Sequence, residues 1–174
     1  MLSKISNESA CAQAILSMQK YDADFNLEDL TDEAKEIFQE FYCNYLCGNR
    51  EYIEIVCGGT ARALCKAQIE LREKEGWKYK YEELLNTSNC FFQGGLIENR
   101  IPQFIYHIEV QEFDEKINVK TGATIEGENI SKAGIMNNTY RMVLSRHEEP
   151  DIEVAGHYWE ITEFYKIGES RMIA

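Results

Sequence analysis

The stretch Gln103–Phe113, QFIYHIEVQEF, decides how the rest of the chain is read. Phe104, Tyr106, Ile108 and Val110 alternate with Ile105, His107, Glu109 and Gln111, the period of two that a pleated strand imposes. Pro102 stands at the entrance, where a missing backbone N–H is tolerated. The pattern predicts a long antiparallel strand with one face on a core. Tyr106 then points inward, and His107 belongs to the opposite side, as a surface or interface residue.

The same period recurs downstream. KINVKTGATIEGE, residues 116–128, reads as a hairpin turning at Thr121 and Gly122. NTYRMVLSRH sets Tyr140, Met142 and Leu144 against Arg141, Val143 and Ser145. YWEITEFY, residues 158–165, carries aromatics on both faces. A strand of that kind is expected to be covered twice, by helices on one side and by a partner or a flap on the other.

Upstream the period lengthens to that of a helix. Ala34, Ile37, Phe38, Phe41 and Tyr45 form one stripe, with Thr31 as the expected N-cap, Asp32 and Glu33 in the first turn and Gly48 as the C-cap. NREYIEIVCGG predicts a short helix stopped by Gly58 and Gly59. TARALCKAQIELREKEG predicts a long one capped by Thr60 and closed by Gly76. Three helices followed by a meander of strands give an α+β fold with the helices packed on one side of the sheet.

A chain of 174 residues, 44% hydrophobic and 28% charged, is of single-domain size and buries a core without a staple. Thirty acidic residues against eighteen basic ones leave a net charge of -12, which repels phosphate backbones and anionic leaflets. Direct nucleic-acid binding is not expected, and membrane contact is expected to be indirect. The six cysteines lie in helical and strand-like context, which favours free thiols. Cys43 and Cys47 share a helix face, but no second Cys or His pair stands at ligand spacing. They are expected to be buried, and no metal is assigned.

Residues 1–26 are polar and Ser-rich, with only Lys4 and Lys20 as basic residues. They are expected to be retained as an arm ordered by a partner, ahead of a domain at 27–166 and a tail at 167–174.

The run FYCNYLCGNREYIEIVCGGTARALCKAQIELREKEGWKYKYEELL, then PQFIYHIEVQEF, VKTGATIEGE, TYRMVLSRHEEPDIE and GHYWEITEF resemble, in that order, the carboxy-terminal domain of one translocase subunit. It is the peripheral forty-four-kilodalton subunit of the mitochondrial presequence translocase, whose relatives include a large-subunit mitoribosomal protein. The resemblance implies a fold similar to nuclear transport factor two: a curved antiparallel sheet wrapped against three helices to make a cone. It also implies the matrix side of the mitochondrial inner membrane, a peripheral attachment and no enzymatic activity. The long basic region that precedes this domain in the translocase subunit is replaced here by about 26 residues, so a full motor scaffold is not expected.

Candidate sites follow. Phe104, Tyr106, Tyr140, Met142 and Trp159 are expected to line the cone. Trp77, Tyr79 and Tyr81, aromatic at period two within GWKYKYEELL, are the expected partner contact, because Trp and Tyr dominate interface cores. His157 beside Tyr158 and Trp159 would serve an active site only with a positioned partner, which the sequence does not supply. The carboxylates of RHEEPDIE read as a solvated loop and QGGLIENR as a loop or bulge. No catalytic, cofactor-binding or metal residue is assigned.

The reading that follows is a non-catalytic accessory subunit whose partners are proteins of a large membrane-associated complex: a respiratory complex, the import translocase or the mitoribosome. The alternative is an enzyme that binds a small molecule or lipid in the cone, with His157 or a nearby carboxylate as its reactive group.

Overall fold

The computed structural model describes residues 2–127, 134–147 and 158–171. The chain is α+β. Among the described residues four helices, one more than the three expected, precede two antiparallel sheets. The additional helix is α1 (Leu2–Met18), within the segment expected as a partner-ordered arm. It packs on the chain's own sheet, and Ala14 and Met18 enter the common core.

Helix α2 (Leu27–Cys47) starts four residues before the expected Thr31. Asn26 is its cap, accepting from the Asp29 N–H at 2.9 Å and donating to the Asp29 carboxylate at 2.7 Å. Thr31 is already inside the first turns, where its hydroxyl donates back to Leu27 O at 2.7 Å. Gly48 ends the helix at φ 78°, the left-handed conformation a C-cap needs.

Helix α3 (Arg50–Val56) is the short one. Helix α4 (Gly59–Glu75) is capped by Gly58, not Thr60. The Thr60 hydroxyl instead donates across to Thr162 O at 3.1 Å and ties the helix to the sheet.

The main sheet has the order β2-β3-β6-β7, formed by β2 (Asn86–Glu98), β3 (Ile101–Phe113), β6 (Ile135–Arg146) and β7 (Trp159–Arg171). Strand β7 runs past residue 166, so residues 167–171 of the expected tail continue the sheet. QGGLIENR lies in β2, with a register shift between Phe92 and Gly94. Asn99 and Arg100, both at positive φ, close a two-residue turn into β3. A smaller sheet of order β1-β4-β5 joins β1 (Trp77–Tyr79) to the hairpin of β4 (Glu115–Asn118) and β5 (Thr124–Gly127).

All four helices contribute to one cluster against one face of the main sheet, where Phe104, Tyr106, Ile108 and Val110 of β3 meet Tyr140, Met142 and Leu144 of β6. Phe38, Phe41 and Tyr42 of α2 close over Phe164 of β7, with Phe41 set edge-on to Phe164 at 4.9 Å. Each such side chain contributes about 1.5–3 kcal/mol by leaving water. Of the cysteines, Cys57 and Cys65 are buried, but Cys47 is exposed and Cys43 half-buried, against expectation. Both lie towards the C-terminal end of α2, off the stripe that Phe38, Phe41 and Tyr42 bury.

Candidate functional site

The alternation that buries Phe104, Tyr106, Ile108 and Val110 continues for one more step, and that step is Glu112. The strand therefore delivers a carboxylate to the inner face, where only 8% of the residue is exposed. Period two does the same on β6, bringing Asn138 inward beside Tyr140. Burying such groups is costly unless their hydrogen bonds are made.

Here they are made largely among themselves. Tyr42 donates from α2 to Glu112 Oε2 at 2.5 Å, and Tyr140 donates to Glu112 Oε1 at 2.5 Å. Asn138 Nδ2 also donates to Oε1. That bond fixes the amide orientation, since the flipped amide would set oxygen against oxygen. The two hydroxyl oxygens are 2.7 Å apart. Burial raises both phenols well above their ordinary value; the Tyr140 oxygen and Glu112 add to the shift of Tyr42, and Glu112 adds to that of Tyr140.

The cluster borders a cavity of about 450 Å³, a usual size for a small-molecule site. Tyr42 and Tyr45 come from α2, Cys65 and Gln68 from α4, Tyr79 and Tyr81 from the segment after α4, and Phe164 and Tyr165 from β7. Six lining residues are tyrosines: 42, 45, 79, 81, 140 and, bordering the cavity from edge strand β7, Tyr165, whose position alternates with the inward Phe164. The charged lining residues are Glu83, Glu112, Asp114, Lys116 and Lys166. Behind this wall, Arg72 of α4 is 4% exposed. Its guanidinium lies 5.1 Å from the Tyr45 ring and 5.0 Å from the Tyr79 ring, and it donates to Tyr45 O.

Of the five residues expected to line a cavity, Tyr140 does. Phe104, Tyr106, Met142 and Trp159 are packed in the core beneath helices α1 and α2, with Phe25 5.5 Å from Phe104. Tyr79 and Tyr81, expected at a partner surface, line the cavity, and Trp77 stands edge-on to Tyr79 at 5.4 Å. Glu112 and Asn138 were missed. The signal for both was present, because a polar residue in register with a buried stripe is itself informative.

His107 lies on the opposite face of the sheet, as its position in the alternation predicts. It sits in a row with Phe91, Arg141 and Tyr165 across the four strands. Burial, then the neighbouring Arg141 charge, lowers its pKa. Arg141 pairs with Glu163 at 3.2 Å. His157 and the carboxylates Glu148, Glu149 and Asp151 lie outside the described residues. Among the described residues no three His, Cys, Asp or Glu side chains gather as a metal site, and no helix is long and apolar enough to cross a membrane.

No curated protein matches the sequence. Among solved structures, the intermembrane space region of the chloroplast protein ARC6 is similar, at 12% identity and a TM-score of 0.48, over 83% of this chain and 97% of that one. The description "Tim44-like domain" matches residues 11–166. That span runs from inside α1 to within β7 and includes both sheets, so the chain belongs to the Tim44-like domain family.

Proposed function

We propose that this chain is a non-catalytic accessory domain that holds protein partners in a complex on the matrix side of the mitochondrial inner membrane. The import translocase is the first candidate, ahead of a respiratory complex or the mitoribosome. The observation that carries the reading is family membership across nearly the whole fold. The surface offered to the partner is the outer face of the main sheet. Phe91 and Tyr165 there are 47% and 41% exposed, on its two edge strands, with His107 and Arg141 between them. Trp77, at the edge of the small sheet, is a second proposed contact. The net charge of -12 favours a protein over an anionic leaflet or RNA as the surface met.

The test is purification of the tagged chain from mitochondria of the parent organism in mild detergent. It should elute within a large assembly that contains integral inner-membrane proteins. Elution as a 20.2 kDa species under those conditions would overturn the proposal.

A further inference from the structure

The turn from β2 into β3 is strained at a residue that makes no polar bond within the described chain. Asn99 and Arg100, at φ 50° and 69°, fill both central positions of the two-residue loop between the paired Glu98 and Ile101. Both positions require the left-handed region, where Asn is tolerated and Gly is preferred at the second. An arginine there is strained, because its Cβ crowds the following carbonyl oxygen. Strain of this kind persists where something else outweighs it.

Among the described residues nothing does. Arg100 is exposed, and its guanidinium has neither an ion pair nor a hydrogen bond, even with Glu98 two residues before it. The other arginines whose side chains are described are all engaged: Arg50 with Glu73, Arg62 with Cys57 O, Arg72 with Tyr45 O, Arg141 with Glu163 and Arg146 with Tyr158 O. The chain has thirty acidic residues against eighteen basic ones, yet it leaves this guanidinium free. The turn also projects. Gln103 is the last residue of β3 to pair with β6, so Ile101 and the turn lie beyond the last row the two strands share. Ile97, just before the turn, is 40% exposed.

We propose that the β2–β3 turn is a contact for a protein partner, with Arg100 bonding a carboxylate of that partner and Ile97 lying against an apolar side chain beside it.

The chemistry follows from the group presented. A guanidinium offers a planar fork of donors that fits a carboxylate or a phosphate with two parallel bonds. The net charge of -12 repels a surface of phosphates. That leaves the carboxylate, and the exposed Ile97 adds an apolar contact that a phosphate backbone does not match. A two-residue turn also fixes the backbone under Arg100 before the partner arrives, so less freedom is lost on binding. The inference rests on the reading of the chain as an accessory domain and adds to it a contact at the end of the main sheet.

Two measurements test it together. Urea unfolding of the purified full chain compares wild type with Arg100→Gly, which relaxes the turn and removes the side chain. In mitochondria of the parent organism, tagged wild type, Arg100→Gly, Arg100→Lys and Arg100→Glu are compared for the fraction that elutes with the large assembly in mild detergent. Arg100→Gly should unfold at higher urea and yet fall at least tenfold in its assembly fraction. Arg100→Glu should fall as far, and Arg100→Lys severalfold less. An unchanged or lower urea midpoint for Arg100→Gly would overturn the proposal, as would equal losses in the Lys and Glu variants. Wild type absent from the assembly would overturn both the accessory-domain reading and this contact. Wild type present, with Arg100→Gly present to the same extent, would overturn this contact alone. A photoreactive residue at Asn99 then shows what the turn meets. An adduct on a partner protein beside an Asp or Glu is expected, and replacing that carboxylate by Arg should return the Arg100→Glu chain to the assembly. Failure to return it, or an adduct formed with lipid or RNA, would overturn the proposal.

Discussion

The hydroxyls of Tyr42 on α2 and Tyr140 on β6 lie 2.7 Å apart, and each reaches the Glu112 carboxylate at 2.5 Å. One buried carboxylate therefore joins a helix to two strands. Tyr42→Phe and Tyr140→Phe should each cost about 1–2 kcal/mol in urea unfolding. The double variant should cost more than their sum by about 1 kcal/mol, because only the second loss leaves Glu112 with Asn138 as its sole donor. Strict additivity would mean the three groups do not act as one network.

Alkaline pH should find the same weakness. Burial, the leading cause at each, raises the pKa of Tyr42, Tyr45, Tyr52, Tyr106 and Tyr140. A group whose folded pKa lies above its unfolded one contributes stability that is complete below the unfolded value and is lost as pH rises. Stability should therefore fall above about pH 10, where free phenols ionise. Of the ten tyrosines, about half should ionise only on unfolding, read from phenolate absorbance. Smooth ionisation of all of them in the folded protein would contradict the packing described.

Arg72 makes a prediction of a different kind. Its guanidinium lies against the rings of Tyr45 and Tyr79 and bonds Tyr45 O, which a compact ammonium reproduces poorly. Arg72→Lys should cost about 1–2 kcal/mol despite keeping the charge. A neutral outcome in thermal and urea unfolding would show that charge alone matters at this position.

Helix α1 is held by close packing on β2. A Cβ added at Gly95 would meet the Phe104 ring at 3.1 and 3.2 Å and Ala14 Cβ at 3.4 Å. Gly95→Ala should therefore loosen the helix, and Met18→Ala should cost about 2–3 kcal/mol by opening a cavity in the core. Hydrogen exchange in residues 7–18 should accelerate in both. Unchanged exchange would mean that α1 is ordered by something other than these contacts.

The long regular elements were legible because their periods were unbroken: the α2 stripe from Ala34 to Phe41, and Phe104 to Val110 on β3. Strand β2 was not, since Gly94 and Gly95 interrupt its alternation and the register shift after Phe92 breaks it again. Thr31 and Asn26 both have capping side chains, and the choice between them fell to Asn26 because Asp29 follows it at capping distance. The cavity was hidden for another reason. Its wall joins α2, α4, the segment after α4, the end of β3, the start of β6 and the middle of β7, and no local pattern brings Tyr42, Tyr79 and Tyr140 together. Glu112 and Asn138, polar residues in step with buried stripes, carried the one local signal for the place, and it went unread.

The account rests on the outer face of the main sheet as a surface for a protein partner, and photo-crosslinking tests that most directly. A photoreactive residue placed at Phe91 or at Tyr165 in the tagged chain, irradiated in intact mitochondria, should give one discrete higher-mass adduct in both cases, with the same partner protein identified in each. A control at Glu51 on α3 should give none. Adducts absent from Phe91 and Tyr165, or formed equally from Glu51, would contradict the assignment.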